Sequence, residues 1–333
     1  MSKNLTSRVT VCIPTYNQSR YVLEAISSAV KQTVPVKVLV SNDGSTDDTA
    51  LVLGNAGLGE NVTVVNHPKN VGIGKHVNWT LKQPETDLIV RLDSDDILYP
   101  AYVAELTALM DTWPKAGYAH CTIQEIDEEG NSRKIRRLAR SSGYEDAESS
   151  LRAMVRGYRV AANIILFRRE ALLSAGFGNP QLNFAEDYDL CVRIADAGWG
   201  NVYTDQVLAG YRVWRTPNRQ SVARKTSELA GLQSVFCETL RGAYSKRNWS
   251  LAPLNRRRLE LALAHSQYLD EAKVNPDDWL TLQRDLTNLA GASWVKILFA
   301  DKPASMYMRG VLATFRNAKL RTIRKIKAIR SGV

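Results

Sequence analysis

The nine residues Leu88-Ile89-Val90-Arg91-Leu92-Asp93-Ser94-Asp95-Asp96 decide the reading of the fold. Leu88 to Leu92 is a short apolar run of the kind a buried strand makes, and it ends on carboxylates. Working outward, the pattern recurs. Val9 to Ile13 (VTVCI) stops at Pro14, Val36 to Val40 (VKVLV) runs up to Asn42-Asp43-Gly44-Ser45, and Val62 to Val65 makes a third strand. Helical patterns lie between them. The first covers Arg20 to Lys31, with Ser19 suited to its N-cap and Val22, Ala25, Ile26, Ala29 and Val30 on one face. The others cover Asp47 to Leu53, Lys75 to Lys82, and Pro100 to about Trp113. Four strand–helix alternations predict an α/β domain: a Rossmann-like, mainly parallel sheet flanked by helices. Such sheets bind ligands beyond the carboxyl ends of their strands. Pro14-Thr15-Tyr16-Asn17, Asn42-Asp43-Gly44-Ser45 and Asp93-Ser94-Asp95-Asp96 are therefore expected to meet at one edge.

Beyond this block, Ala119 to Ala162 is less regular, with an acidic stretch (Glu125 to Glu129) and a basic one (Arg133 to Arg140). Ile164 to Phe167 reads as a strand, Arg169 to Ala175 as a helix closed by Gly176, and Glu186 to Ala197 as an amphipathic helix ending at Gly198. After Thr216-Pro217-Asn218 strand signals vanish. Helical patterns at Ser221 to Tyr244, Arg256 to Leu269 and Pro276 to Leu289 predict an all-helical C-terminal region, giving domains 1–216 and 217–333.

The chain has 333 residues, 44% apolar and 23% charged, which excludes a disordered or low-complexity protein. Its net charge of +10 is uneven: Lys302 to Val333 carries nine basic residues and no acidic one, leaving 35 basic against 34 acidic before it. Cys12, Cys121, Cys191 and Cys237 form no C-x-x-C pair and read as reduced, structural thiols. No run approaches 18 apolar residues and no signal peptide precedes Pro14, so the expectation is a cytoplasmic protein, soluble or peripheral on a membrane. The peripheral reading rests on 308–330, where eight basic residues accompany Val311, Phe315, Ala318, Ile326 and Ile329 on one helical face. Such a helix suits an anionic lipid surface.

The carboxylates carry the chemistry. Asp93 and Asp95, one residue apart in extended backbone, point to the same side, with Asp96 following. Like charges this close raise one another's pKa unless a cation is bound, and Mg²⁺ or Mn²⁺ is commonly held by one or two carboxylates plus substrate phosphates. Alone, the tripeptide also reads as a helix cap, Asp43-Gly44-Ser45-Thr46 as a turn, and Glu186-Asp187 as acids placed by a helix dipole.

Together these motifs resemble the family 2 glycosyltransferases, which have the GT-A fold. The resemblance lies in Val11-Cys12-Ile13-Pro14-Thr15-Tyr16-Asn17, Val40-Ser41-Asn42-Asp43-Gly44-Ser45-Thr46-Asp47, Asn70-Val71-Gly72, Leu92-Asp93-Ser94-Asp95-Asp96 and Glu186-Asp187-Tyr188-Asp189-Leu190-Cys191-Val192-Arg193, in the family's order over about the first 215 residues. It implies an inverting enzyme that moves one sugar from a nucleotide-diphosphate sugar to a glycan or lipid-linked hydroxyl in cell-surface polysaccharide or glycoconjugate synthesis. The donor site would comprise Pro14, Thr15, Tyr16, Asn17, Asp43, Lys75, Asp93 and Ser94, with Asn78 nearby. Asp43 would hold base or ribose, Asp95 a divalent metal, Mn²⁺ or Mg²⁺, and Asp187 would be the general base. Uridine diphosphate is the default donor nucleotide.

In Tyr211-Arg212-Val213-Trp214-Arg215, Trp214 stands where many members carry a metal-reaching His. Glu186, Arg212 and Trp214 are candidates for diphosphate or acceptor contacts. The Gln-x-x-Arg-Trp signature of processive synthases is missing, which suggests single addition. Helices after Asn218 are expected to close the fold or join copies of the chain. Two alternatives compete. A sugar-nucleotide pyrophosphorylase would need a Gly-rich basic loop where Pro14-Thr15-Tyr16-Asn17 stands. A non-enzymatic membrane or nucleic-acid binder driven by the tail would make the acidic turns incidental, although no nucleic-acid motif appears and no nucleic-acid partner is expected.

Overall fold

The computed structural model describes residues 7–214, 222–266, 268–269 and 276–291. The chain divides into two compact units, Met1–Thr216 and Pro217–Val333.

The first unit is one ten-stranded sheet. Its strands are β1 (Val9–Thr15), β2 (Lys37–Asn42), β3 (Val62–Asn66), β4 (Leu88–Arg91), β5 (Ile97–Leu98), β6 (Ala116–Ile126), β7 (Ser132–Arg136), β8 (Gly143–Glu145), β9 (Ile165–Arg168) and β10 (Gly200–Arg212). They run in the order β3-β2-β1-β4-β9-β6-β10-β5, with β7 beside β6 and β8 beside β10. β3, β2, β1 and β4 pair in parallel, as do β6 and β10. β9 runs antiparallel between β4 and β6, which leaves those two pointing the same way. The crossovers are α1 (Val22–Val30), α2 (Thr49–Asn55), α3 (Ile73–Lys82) and α4 (Tyr102–Thr112), followed by α5 (Ala147–Met154), α6 (Arg169–Ser174) and α7 (Glu186–Asp196). The expected α/β class with a mainly parallel sheet is what the structure has.

Its core is aliphatic: Val11, Ile13, Val38, Val40, Val90 and Leu92 from the sheet meet Ala25, Ile26 and Ala29 of α1 and Tyr102, Val103 and Leu106 of α4. Full burial of one such side chain is worth about 1.5–3 kcal/mol, so these faces hold the helices on the sheet. Three local readings change. β1 continues through Pro14 because its pairing with β4 has ended at Cys12 and only β2 remains alongside. Helix α1 is entered from Tyr21 without a side-chain cap, and the Ser19 amide instead donates to Asp47 Oδ2 (3.1 Å). The irregular middle holds the long strand β6, and β10 is longer still. β6 is almost wholly buried yet carries His120, Thr122 and Glu125, while β10 shifts register at Gly200/Asn201, Thr204/Val207 and Val207/Ala209. Neither shows the alternation that announces a strand.

In the second unit, α8 (Val222–Ser234) runs through a π-helical turn (Val235–Thr239) into α9 (Leu240–Lys246), followed by α10 (Ala252–His265) and α11 (Pro276–Ala290). α11 packs against α8 and α10. Buried Arg258 ties the end of α11 to α10 by donating to the carbonyls of Leu289 (2.9 Å) and Asn288 (3.0 Å). Among the described residues no helix is long and apolar enough to cross a membrane. The basic segment 308–330 lies outside the described residues.

Candidate functional site

The loops after β1 and β2 are latched together at the carboxyl edge of the sheet. Asn17 takes a left-handed backbone (φ 53°), its amide donates to Ser45 Oγ (2.9 Å), and its Oδ1 accepts from the Thr46 amide (2.8 Å). The buried Asp43 carboxylate accepts from Asn70 Nδ2 (2.9 Å) and from the amides of Val71 (3.0 Å) and Gly72 (3.2 Å). Asp43 therefore pins the segment that leads into α3. Gly44 permits the approach: at φ +64° a Cβ there would lie 2.6 Å from the Lys69 carbonyl carbon. One turn into α3, His76 meets Ser41 Oγ at 2.7 Å, and His67 meets the same hydroxyl at 3.0 Å. Burial pushes the His76 pKa down to about 4, with Asp43 opposing and His67 adding to the fall, so the ring is neutral.

These elements surround a cavity of about 380 Å³, within the usual size of a small-ligand site. Of the residues singled out in the sequence, Pro14, Thr15, Tyr16, Asp43, Asn70, Gly72, Asp93, Ser94 and Asp95 line it. Gln18, His76 and Val77 also line it and carry no motif that would have marked them. Thr15 Oγ1 is buried there without a hydrogen-bond partner. Asn17 and Lys75 are not in the lining: Asn17 serves as the latch, and Lys75 is on an exposed face of α3. Asn78, one turn past Lys75, is buried with its Oδ1 unpartnered.

The three carboxylates after β4 differ in setting. Asp93 accepts from Arg91 Nε (2.9 Å). Asp95 accepts at Oδ2 from the indole of Trp214 (2.8 Å), and burial together with Asp93 raises its pKa. Asp96 is fully buried. One oxygen accepts from the Arg212 amide (2.8 Å) and the other has no partner, and burial, Asp95 and Asp93 push its pKa well up. Among the described residues no group of three or more His, Cys, Asp or Glu side chains forms a ready-made metal cage. Two carboxylates at a cavity wall, Asp95 with its charged form disfavoured by burial and by the neighbouring Asp93, do fit a divalent cation whose remaining ligands arrive with a phosphate-bearing molecule.

Helix α7 begins after Ala185, held in left-handed backbone (φ 59°, ψ 22°), a strained conformation for a residue with a Cβ. Asp187 is buried and accepts from the Tyr188 amide (2.7 Å). Burial, then the charge of Glu186, raise its pKa to about 7 against the pull of Arg91. Glu186 accepts from Arg91 NH2 (2.9 Å), so one guanidinium touches both the Asp93 end of the cavity and the start of α7. Arg212 does not line the cavity. Its nitrogens donate to the carbonyls of Asp95 (2.7 Å) and Asp127 (2.9 Å) and to Glu24 Oε2 (2.6 Å), and its guanidinium lies over the Tyr21 ring. It binds the edge of the site together from inside.

Residues 7–244 match the family described as "Glycosyltransferase like family 2". The chain is 32% identical to the chondroitin synthase of Escherichia coli over 202 residues, covering 57% of this chain and 27% of that one. It thus spans about a quarter of that relative's length. In structure it is similar to S. aureus TarS 1-349 in complex with UDP-GlcNAc (TM-score 0.66, 17% identity, 94% of this chain and 92% of that one). It is also similar to the mannosyltransferase PcManGT from Pyrobaculum calidifontis in complex with GDP-Man and Mn2+ (TM-score 0.57, 18% identity, 96% and 84%). At these identities the structural likeness is one of fold, the GT-A arrangement.

Proposed function

This chain belongs to the glycosyltransferase-like family 2, with 7–244 matching it, and from that premise we propose that it transfers a single sugar, with inversion, from a nucleotide-diphosphate sugar to a hydroxyl of a glycan or lipid-linked acceptor. The observation that carries the reading is the gathering of Asp43, Asp93 and Asp95 around one cavity, with Asp187 tied to its rim through Arg91 and Glu186. The first unit, residues 1–216, is the catalytic domain in this reading.

Thr15 and Tyr16 would bound the nucleotide, the unpartnered Thr15 hydroxyl being ready to bond it. Asp43, although it holds the Asn70–Gly72 segment, keeps acceptor capacity for a base or ribose donor. Asp95, beside Asp93, would hold Mn²⁺ or Mg²⁺, which when bound offsets the diphosphate charge that builds as the glycosidic bond breaks. Asp187 would accept the proton of the acceptor hydroxyl as that oxygen attacks the anomeric carbon from the face opposite the departing diphosphate. A carboxylate with its pKa raised to about 7 suits that task near neutral pH. A uridine diphosphate donor and an acceptor in polysaccharide synthesis are the preferred substrates.

Calorimetric titration with UDP, dTDP and GDP, each with and without Mn²⁺, tests this. One nucleotide should bind only with metal. Asp95→Asn should lose that metal dependence and Asp187→Asn should keep it while turnover falls at least about 10³-fold, the scale of a lost general base with its positioning. Metal-independent binding, or full turnover by Asp187→Asn, refutes the reading.

A further inference from the structure

Arg91 ends β4 inside the sheet, and its side chain is only 2% exposed. A guanidinium so buried is tolerated only where its donors are answered. Nε donates to Asp93 Oδ1 (2.9 Å), while NH2 reaches Asp93 Oδ2 (3.5 Å) and Glu186 Oε1 (2.9 Å). Asp93 stands on the wall of the cavity, and Glu186 opens α7 immediately before Asp187. The two partners are 93 positions apart in the chain (93 to 186), and this one side chain bridges them. The planar fork of Arg makes the bridge possible, because a Lys ammonium is a point charge that cannot hold two carboxylates in fixed relative orientation.

We propose that Arg91 is a positioning residue, a strut that sets the first turn of α7, and with it Asp187, against the donor-side carboxylate Asp93 while keeping a positive charge beside Asp187. This rests on the reading of Asp187 as the base and of Asp93 as a donor contact. The strut explains how α7 can start from the strained Ala185: the ion pair to Glu186 holds the turn from the sheet side. It also explains an imbalance. Around Asp187, among the described residues, stand Glu186, Tyr188 and Cys191 on α7, Tyr158 after α5, and Arg91 on β4, and Arg91 is the cation among these. Burial and Glu186 drive Asp187 toward the protonated form, and Arg91 is the largest restraint on them, ahead of the hydrogen bond from the Tyr188 amide.

The test is a carbon-13 NMR titration of γ-labelled aspartates in the full chain, with Asp187→Asn identifying the Asp187 signal. Arg91→Met should raise the Asp187 midpoint by about one pH unit, the low end of what an adjacent cation does. Glu186→Gln should lower it, and Arg91→Lys should leave it near wild type because the charge stays. Removing one partner of a buried ion pair can unfold a protein, so the same Arg91 effect is read a second way: Arg91→Met/Glu186→Gln, which removes both charges, should titrate above Glu186→Gln alone. Calorimetry with UDP and Mn²⁺ adds the positioning readout, with Arg91→Lys binding about tenfold more weakly as the fork on Asp93 is lost. No resolvable change in the Asp187 midpoint in either background overturns the proposal, as does wild-type UDP affinity in Arg91→Lys. If wild-type protein binds none of the three nucleotides with Mn²⁺, the transferase reading fails instead, and the Asp187 midpoints still decide whether Arg91 acts on Asp187.

Discussion

Replacing Gly74 by Ala tests whether the cavity and the start of α7 are mechanically coupled. Gly74 is the second residue of α3, and a Cβ built there falls 2.0 Å from the Leu182 carbonyl oxygen, 2.9 Å from its carbon and 3.1 Å from the Pro180 oxygen. All three are backbone atoms of the segment that runs into Ala185 and Asp187, so no rotamer change relieves the clash. Reaching an ordinary contact of 3.4 Å needs the Leu182 oxygen to retreat by roughly 1.4 Å. Overpacking of this kind costs about 1–3 kcal/mol, and the better helix propensity of Ala returns up to about 1 kcal/mol. The internal control is Gly54→Ala in α2, where nothing lies within 4 Å of the new Cβ. That variant should gain up to about 1 kcal/mol from the same propensity term.

The difference between the two variants therefore isolates the clash, about 1–3 kcal/mol. At roughly 2–4 °C per kcal/mol for a unit of this size, Gly74→Ala should melt several degrees below Gly54→Ala in a thermal scan. Displacing the start of α7 by about 1 Å should also lower turnover by about 10²-fold. Turnover is read as UDP release from the donor sugar that the binding screen selects, and UDP affinity should change less. Equal melting temperatures would refute the packing argument. A clear loss of stability with full turnover would refute the coupling of that segment to Asp187.

Two further outcomes follow from buried charges. Arg212→Met removes the donors to the carbonyls of Asp95 and Asp127 and to Glu24; with about 1 kcal/mol per lost bond, the first unit should lose about 2–3 kcal/mol in urea denaturation, and a loss below about 1 kcal/mol would show the network to be incidental. In the second unit Glu228 is partly desolvated, which alone would raise its pKa, but His265 and Lys225 hold it down to about 2 from the ordinary 4.5. A depressed carboxylate stabilises the folded state above its unfolded pKa and stops doing so as pH falls through the folded one. The stability gap between wild type and Glu228→Gln should therefore be full at pH 7 and narrow as the pH drops below about 4.5; a gap independent of pH would contradict the assignment.

How much of this was legible in the sequence depends on the distance between cause and effect along the chain. The repeating strand–helix alternation and the acidic turns after β2 and β4 are local signals, and they suffice to place Asp43, Asp93 and Asp95 at one edge. β6 and β10 escaped because burial on both faces and register shifts erase alternation. Asn17 and Asp43 looked like ligand groups, but their side chains also fasten neighbouring loops, a task that short motifs cannot distinguish from binding. Arg91 passed unremarked within the apolar run Leu88 to Leu92, and Arg212 read as a candidate diphosphate or acceptor contact. Their roles depend on partners 95 and 188 positions away, Glu186 and Glu24.

Those two arginines also explain why one carboxylate is left over. Asp93 is answered by the Arg91 guanidinium. Asp96 is buried, accepts the Arg212 amide, and is pushed by burial and its acidic neighbours toward the protonated form, so it needs no cation. Asp95 lines the cavity, and its carboxylate accepts from the neutral indole of Trp214. A desolvated carboxylate beside another, with a neutral donor on one oxygen, is stabilised most by a positive charge arriving from the cavity side. The fold thus answers Asp93 and Asp96 internally and leaves Asp95, at the cavity wall with Asp93, as the acid that a cation arriving with the ligand would meet in the proposed reading.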